Sequence, residues 1–131
     1  DHEKENSPDY ILSALEKGFD VEIDVWHQDF DGIYLGHDYP KYKIDIDFLK
    51  NNKLWCHAKD LISLRVMVEN NIQCFWHQED DYTLTSNNLI WTYPGKIICN
   101  KTIIVCTDLR DTLAFKEAGI YGICSDYVGK I

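Results

Sequence analysis

Segments with strand periodicity alternate with segments of helical periodicity along all 131 residues, and the connections between them are short. Parallel strands joined by helices require right-handed crossovers, so this alternation predicts an α/β protein with a mainly parallel sheet. The hydrophobic content of 45% is enough for one core. We therefore expect residues 1–131 to form a single compact domain.

The first helix is predicted from its ends. Ser7 followed by Pro8 is a typical helix start, and Gly18 is a typical stop. Two more helices are predicted at 61–69 and 111–118, and strands at 20–26, 33–35, 54–57, 72–77, 89–93, 102–106 and 121–124. The polar segments 39–43 and 80–86 are predicted as loops.

The first predicted strand carries two acidic side chains. Glu22 and Asp24 are separated by one residue within an alternating apolar segment. A strand places such residues on one face, where both carboxylates can reach one cation or one cationic substrate. Two like charges so close repel each other unless something neutralises them. The pair is therefore either a binding site or two residues on the solvated face of a half-exposed strand.

A hairpin is predicted directly after this strand. Asp31-Gly32 is a typical two-residue turn, and a turn at these residues pairs Trp26 with His37. This register places His37 one diagonal neighbour, about 7–8 Å, from Asp24. The carboxylate pair and His37 are then expected to share one site.

Polar side chains recur where the predicted strands end. Functional groups collect at the carboxyl ends of parallel strands, in open sheets and in (β/α) barrels alike. Besides the carboxylate pair, the residues at such positions are His57 with Lys59, His77 with Gln78, Asp108, and Ser125 with Asp126. His57 and His77 each end a strand that contains tryptophan, so they are expected to converge unless each is only a structural histidine.

Composition limits the partners. The formal net charge is −9, so attraction to nucleic acid or to an anionic membrane is not expected, and a bound phosphate needs a local cation. The sequence contains no apolar run as long as a membrane span and no signal-peptide pattern. The five cysteines lie in or beside apolar runs without a Cys-x-x-Cys pair, which indicates core residues in a reducing compartment. We expect a cytoplasmic protein.

Several motifs occur in a specific order. They are Glu5-Asn6-Ser7-Pro8, a helix ending at Gly18, Glu22-Ile23-Asp24-Val25, Asp31-Gly32 and His37-Asp38. This order resembles the N-terminal half of the glycerophosphodiester phosphodiesterase family over residues 5–38, with weaker agreement at 54–59 and 123–126. The resemblance implies a compact (β/α) TIM-type barrel that cleaves phosphodiesters to a phosphomonoester and an alcohol, usually with a divalent cation.

The resemblance also implies roles for individual residues. Glu22 and Asp24 would bind the metal, and His37 would be the acid/base. His57 stands where the family usually has a glutamate on the metal, and Lys59 keeps the family's lysine. The resemblance implies a divalent metal cofactor, Mg, Ca or Mn. Because imidazole suits manganese, iron or zinc better than calcium or magnesium, His57 in place of a carboxylate leaves the identity of the ion open. Substrate contacts are assigned to Lys59, His77, Trp91 and Asp126, with core packing as the alternative for Trp91.

Members of the family carry a His-Arg-Gly strand before the Glu-Asn-Ser/Thr segment, and residues 1–131 do not include it. We therefore expect a barrel whose first strand is missing from this sequence. The leading hypothesis is a metal-dependent hydrolase of a small glycerophosphodiester-like compound. The alternatives are a non-catalytic barrel that binds a phosphorylated ligand or a protein partner, and a phospholipase D-like lyase that forms a cyclic phosphate. The oligomeric state is not predicted.

Overall fold

The computed structural model of the protein describes residues 1–28 and 31–131. The chain divides into two compact units, Asp1–Trp76 (unit 1) and His77–Ile131 (unit 2). Unit 1 contains a sheet of five strands and unit 2 a sheet of four. Each unit is described separately.

Unit 1 is a mixed sheet with helices. Its elements are α1 (Pro8–Glu16), β1 (Val21–Gln28), β2 (Gly32–Leu35), β3 (Tyr42–Ile44), β4 (Leu54–Ala58), α2 (Leu61–Glu69) and β5 (Cys74–Trp76), with 3-10 helices at His2–Lys4 and Ile46–Lys50. The strand order is β3-β2-β1-β4-β5. The pairings β1-β4 and β4-β5 are parallel, whereas β1-β2 and β2-β3 are antiparallel.

One face of this sheet forms the core of unit 1. Ile23 and Val25 of β1 and Cys56 of β4 are fully buried, and they cluster with Ile11 of α1 and Met67 of α2. Side chains alternate between the two faces of a strand. The even-numbered residues of β1, which include both candidate metal-binding carboxylates, therefore lie on the opposite face.

Both α-helices of unit 1 begin with a side-chain cap. Ser7 Oγ accepts the backbone N–H of Tyr10 at 3.3 Å, and Pro8 is the first helical residue of α1. Asp60 caps α2 in the same way, accepting the N–H of Ser63 at 2.7 Å. Because these side chains satisfy N–H groups that lack partners within the helix, both starts are fixed locally. The predicted start of α1 is confirmed.

Unit 2 has a smaller mixed sheet. Its elements are β6 (Tyr82–Leu84), β7 (Ile90–Thr92), β8 (Thr102–Val105), α3 (Leu109–Phe115), β9 (Gly122–Cys124) and a 3-10 helix at Val128–Lys130. The order is β6-β7-β8-β9, with β6 antiparallel to β7 and the other pairs parallel. Trp91, Ile103 and Ile104 are buried.

The predicted (β/α) barrel is wrong. The described residues form two separate open sheets that do not close into a barrel, and three of the seven strand pairings are antiparallel. A barrel of this type has eight parallel strands and takes about 200 residues or more, whereas this sequence has 131. The alternation of strands and helices predicted local βαβ units correctly, but it could not predict closure.

Two predicted loops contain strands instead. Tyr42–Ile44 forms the edge strand β3, and Tyr82–Leu84 forms the edge strand β6. Both are three residues long and pair antiparallel with one neighbour. Such short, polar edge strands are difficult to distinguish from loops because they bury little apolar surface.

The predicted hairpin register is also wrong. Gln28 pairs with Gly32, and Trp26 pairs with Tyr34 rather than with His37. The connection therefore comprises residues 29–31, of which 29 and 30 lie outside the described residues, and Gly32 has a positive φ of 95°. The observed pairing is therefore displaced by three residues from the pairing that a two-residue turn at Asp31-Gly32 would give.

Within residues 1–28 and 31–131, every helix is too short or too polar to cross a lipid bilayer.

Candidate metal centre

The parallel pairing of β1 with β4 brings the candidate ligands together. Asp24 pairs with His57, and Glu22 lies two residues earlier on the same face of β1. Among the described residues, Glu22, Asp24 and His57 form a group in which one ligand atom from each lies within 4.8 Å of the others. Together with Lys59 we call them the carboxylate cluster.

The nitrogen atoms of His57 and Lys59 face Asp24. His57 Nδ1 is 3.2 Å from Asp24 Oδ1 and 3.7 Å from Glu22 Oε1, and Lys59 Nζ is 3.6 Å from Asp24 Oδ1. The backbone N–H of Lys59 donates to the carbonyl oxygen of Val25 at 2.9 Å, just beyond the end of β4. The sheet register thus sets the position of the ammonium group.

Asn6 holds the other side of Asp24. Asn6 Oδ1 accepts the backbone N–H of Asp24 at 2.8 Å, and Asn6 Nδ2 donates to Asp24 Oδ2 at 3.0 Å. Asn6 is 6% exposed and has a positive φ of 65°. Asn6 belongs to the motif Glu5-Asn6-Ser7-Pro8, but its contact with Asp24 could not be predicted from the sequence. The two residues are 18 positions apart, and such a contact produces no periodic pattern.

The environment keeps Asp24 ionised. Burial, the largest single influence, would raise its pKa, but the hydrogen bonds from His57 and Asn6 and the positive charge of Lys59 outweigh it. The net result is a pKa below the usual value of 3.8. The side chain of Asp24 is 5% exposed and that of Glu22 is 28% exposed, so the group is open to solvent mainly through Glu22.

An aromatic ring fixes the plane of the imidazole. The rings of His57 and Phe75 stack with centroids 5.1 Å apart and planes 8° apart. These two residues are register partners on β4 and β5. Phe75 was not predicted from the sequence, because stacking of this kind depends on strand register.

His37 lies outside the carboxylate cluster, in the loop after β2. Its Nδ1 is 2.9 Å from Asp38 Oδ1, and its side chain is 59% exposed. It lines a groove of about 440 Å³ with the N-terminal segment and the loop after β2; the lining residues are His2, Glu3, Glu5, Gly36, His37, Asp38, Tyr39 and Lys41. The N–H of Gly36 donates to the carbonyl oxygen of Asp24 at 3.2 Å, so the groove meets the backbone of β1 there, but its lining does not include Glu22, Asp24, His57 or Lys59. The prediction that His37 shares one site with the carboxylate pair is therefore not supported by the hairpin register or by the groove lining.

The remaining predicted substrate contacts belong to unit 2. His77 Nδ1 is 3.3 Å from Thr83 Oγ1. Trp91 is 6% exposed on β7, which agrees with the core-packing alternative. Asp126 is exposed in the turn after β9. Within unit 1, the predicted site residues Glu22, Asp24, His57 and Lys59 are brought together, whereas His37 lies in the loop after β2.

The residues of the cluster fit a divalent cation. Two carboxylates and one imidazole form a donor set that manganese, iron or zinc accepts, whereas calcium and magnesium prefer oxygen alone. Asp24 is held in the charged form that a cation needs. The stacked ring and the amide of Asn6 fix two of the three ligands from behind, as is usual around bound metals.

Comparisons with protein-family models, curated proteins and solved structures returned no match to this chain.

Proposed function

We propose that this protein is a metal-dependent phosphodiester hydrolase that acts on a small glycerophosphodiester-like compound. The observation that carries the proposal is the convergence of Glu22, Asp24 and His57, with the ammonium of Lys59 3.6 Å from Asp24. A cation site beside a lysine suits a negatively charged phosphodiester in a protein whose net charge is −9. The order of motifs along the sequence supports the same reaction class.

The cluster would hold the cation and receive the phosphate. Glu22, Asp24 and His57 would be the ligands, and the chemistry supplied at this place would be that of a Lewis acid, which neutralises charge on a phosphoryl oxygen. Lys59 Nζ and His57 Nδ1 face the same oxygen of Asp24, Oδ1. Because the side chain of Lys59 is 22% exposed, its charge can also reach a phosphate that approaches from solvent. Fixed positive charge stabilises the transition state because it requires no reorganisation during the reaction.

His37 is the proposed acid/base. In the hydrolysis, a water oxygen bonds to phosphorus and loses one proton, the bond from phosphorus to the alcohol oxygen breaks, and one proton passes through His37 to that alcohol oxygen, so the number of protons is unchanged. Asp38 engages Nδ1 of His37, which leaves Nε2 to exchange the proton with a ligand in the groove. Such a role contributes typically about 10²- to 10⁴-fold to the rate. The groove volume of about 440 Å³ suits a small substrate.

Turnover with matched variants tests the proposal. Purified protein is incubated with glycerophosphocholine or bis(4-nitrophenyl) phosphate and manganese, magnesium or calcium chloride, and phosphomonoester is measured by ³¹P NMR. We expect release that is fastest with manganese and stops with EDTA. Asp24→Asn should lower the rate by at least about 100-fold. Glu69→Gln, at an exposed position at the end of α2, is the control. No release with any ion, or equal release by Asp24→Asn, would contradict the proposal.

A non-catalytic protein that binds a phosphorylated ligand is the second candidate. One observation favours it: Lys59 Nζ already lies 3.6 Å from Asp24 Oδ1 and His57 Nδ1 lies 3.2 Å from the same oxygen, so Asp24 has a positive charge and a polar partner without a metal. Calorimetry with manganese chloride and with glycerol phosphate distinguishes the two candidates. Binding of glycerol phosphate without metal and without turnover of diesters favours the second.

A further inference from the structure

The two carboxylate oxygens of Asp24 have different partners. Oδ2 accepts the amide N–H of Asn6 at 3.0 Å, whereas Oδ1 faces His57 Nδ1 at 3.2 Å and Lys59 Nζ at 3.6 Å. The backbone N–H of Asp24 is bonded to the same amide, through Asn6 Oδ1 at 2.8 Å. Asn6 therefore holds the main chain and the side chain of Asp24 at once, and this fixes the plane of the carboxylate.

From these contacts we infer that Asn6 is a positioning residue that occupies Oδ2 of Asp24, so that a cation would bind at Oδ1, where it would displace Lys59 Nζ and the contact with His57 Nδ1. The inference rests on the proposed metal centre and concerns its selectivity. Calcium takes 6–8 oxygen ligands and often chelates both oxygens of a carboxylate. A carboxylate that offers one oxygen, next to an imidazole, suits manganese instead. Asn6 thus selects against calcium without touching the ion.

The backbone explains why the residue is asparagine. Asn6 has a φ of 65°, in the left-handed region that glycine and asparagine adopt more readily than other residues. Only asparagine of these two has a side chain, and its amide supplies the acceptor and the donor that Asp24 uses. Ser7 then begins α1 as its N-cap, so the turn is fixed on both sides of Asn6.

This conformation also provides a matched pair of variants. Asn6→Gly removes both hydrogen bonds to Asp24 and tolerates the positive φ. Asn71→Gly is the control, since Asn71 follows α2 in the same unit with a φ of 55° and is exposed. Asn6→Ser is a second variant for the case that Asn6→Gly does not fold, because a hydroxyl is too short to reach both groups of Asp24.

The test is the ratio of the manganese and calcium dissociation constants, measured by isothermal titration calorimetry. The wild-type protein should prefer manganese. Asn6→Gly should weaken manganese binding about tenfold, within the range usual for residues behind a metal ligand, while calcium binding is retained or improves. Asn71→Gly should leave the ratio unchanged. A merely structural role of Asn6 would weaken both ions equally.

The outcomes separate this inference from the proposed function. If the wild-type protein binds neither ion, the metal centre is refuted, and the role of Asn6 with it. If the wild-type protein binds manganese and folded Asn6→Gly keeps the same ratio of affinities, only the role of Asn6 is refuted. An unfolding curve of each variant, measured in the presence of EDTA, checks that the variant is folded before metal is added.

Discussion

Asp60 accepts the backbone N–H of His27 through Oδ2 at 2.8 Å, across 33 residues of sequence. Its other oxygen caps α2 by accepting the N–H of Ser63 at 2.7 Å. Ser63 Oγ in turn donates to the carbonyl oxygen of Val25 at 3.1 Å. One carboxylate therefore joins the end of β1 to the start of α2, close to the strand that carries Glu22 and Asp24.

Asp60→Ala should destabilise unit 1. Loss of a helix N-cap costs about 1 kcal/mol, and leaving the N–H of His27 without its partner adds about 1–3 kcal/mol. Urea unfolding followed by circular dichroism measures the total. Asp45→Ala is the control, because Asp45 caps only the 3-10 helix Ile46–Lys50 and is exposed. Equal losses for the two variants would show that the contact with His27 contributes nothing.

Gly36→Ala should displace the loop that carries His37. A Cβ on Gly36 would overlap the carbonyl oxygen of Tyr39, so backbone must move, at a cost of about 1–3 kcal/mol. Because Trp26 Nε1 donates to the carbonyl oxygen of Gly36 at 2.6 Å, the indole N–H resonance of Trp26 should shift in NMR spectra. Gly122→Ala meets its nearest side-chain atom at 4.0 Å and should leave that resonance unchanged. An unmoved resonance in Gly36→Ala contradicts this prediction.

The lowered pKa of Asp24 makes the free energy of unfolding depend on pH. The folded protein binds fewer protons here than the unfolded chain, so the contribution is present above the usual pKa of 3.8 and is lost as pH falls through the folded value. Asp24→Asn abolishes it. The difference in unfolding free energy between wild type and Asp24→Asn, measured in EDTA, should therefore be constant above about pH 5 and shrink as the pH falls below about 4. A difference independent of pH would contradict this linkage.

Cys99 should react first with iodoacetamide at neutral pH. The backbone N–H of Lys101 and the hydroxyl of Thr102 lower the pKa of the exposed Cys99 thiol, whereas burial raises the pKa of Cys56 and Cys106. A lower pKa gives more of the reactive thiolate. Peptide mass spectrometry measures the order of labelling, and Thr102→Val should slow labelling of Cys99. Earlier labelling of a buried cysteine would refute this order.

The exposed position of Cys99 also corrects the prediction that all five cysteines are core residues.

Local chemistry explains which parts of the fold could be predicted. Ser7 and Pro8 mark the start of α1 by themselves, and the two-residue period of β1 puts Glu22 and Asp24 on one face. The rule that functional groups follow parallel strands pointed to His57 beside this pair, and the pairing of β1 with β4 places it there. These features depend on a few neighbouring residues or on one strand pairing.

The features that could not be predicted depend on longer-range geometry. The position of His37 depends on the register between β1 and β2, in which Trp26 pairs with Tyr34 and not with His37. Asn6 contacts Asp24 across 18 residues of sequence, and it does so with a left-handed backbone conformation. Neither feature can be predicted from the periodicity of the sequence. Closure of a barrel depends on the tilt and stagger of all strands together, which are not encoded in any one segment.

The pairing of Asp24 with His57 has a consequence for how errors in folding would be detected. Parallel strands have no tight turn to set their register, and a slip of one residue exchanges the two faces of a strand. A slipped β4 would present Cys56 or Ala58 to Asp24 and bury the imidazole. A manganese ion bound by these side chains would therefore act as a probe of correct strand alignment, and misaligned molecules would be distinguished by their failure to take it up.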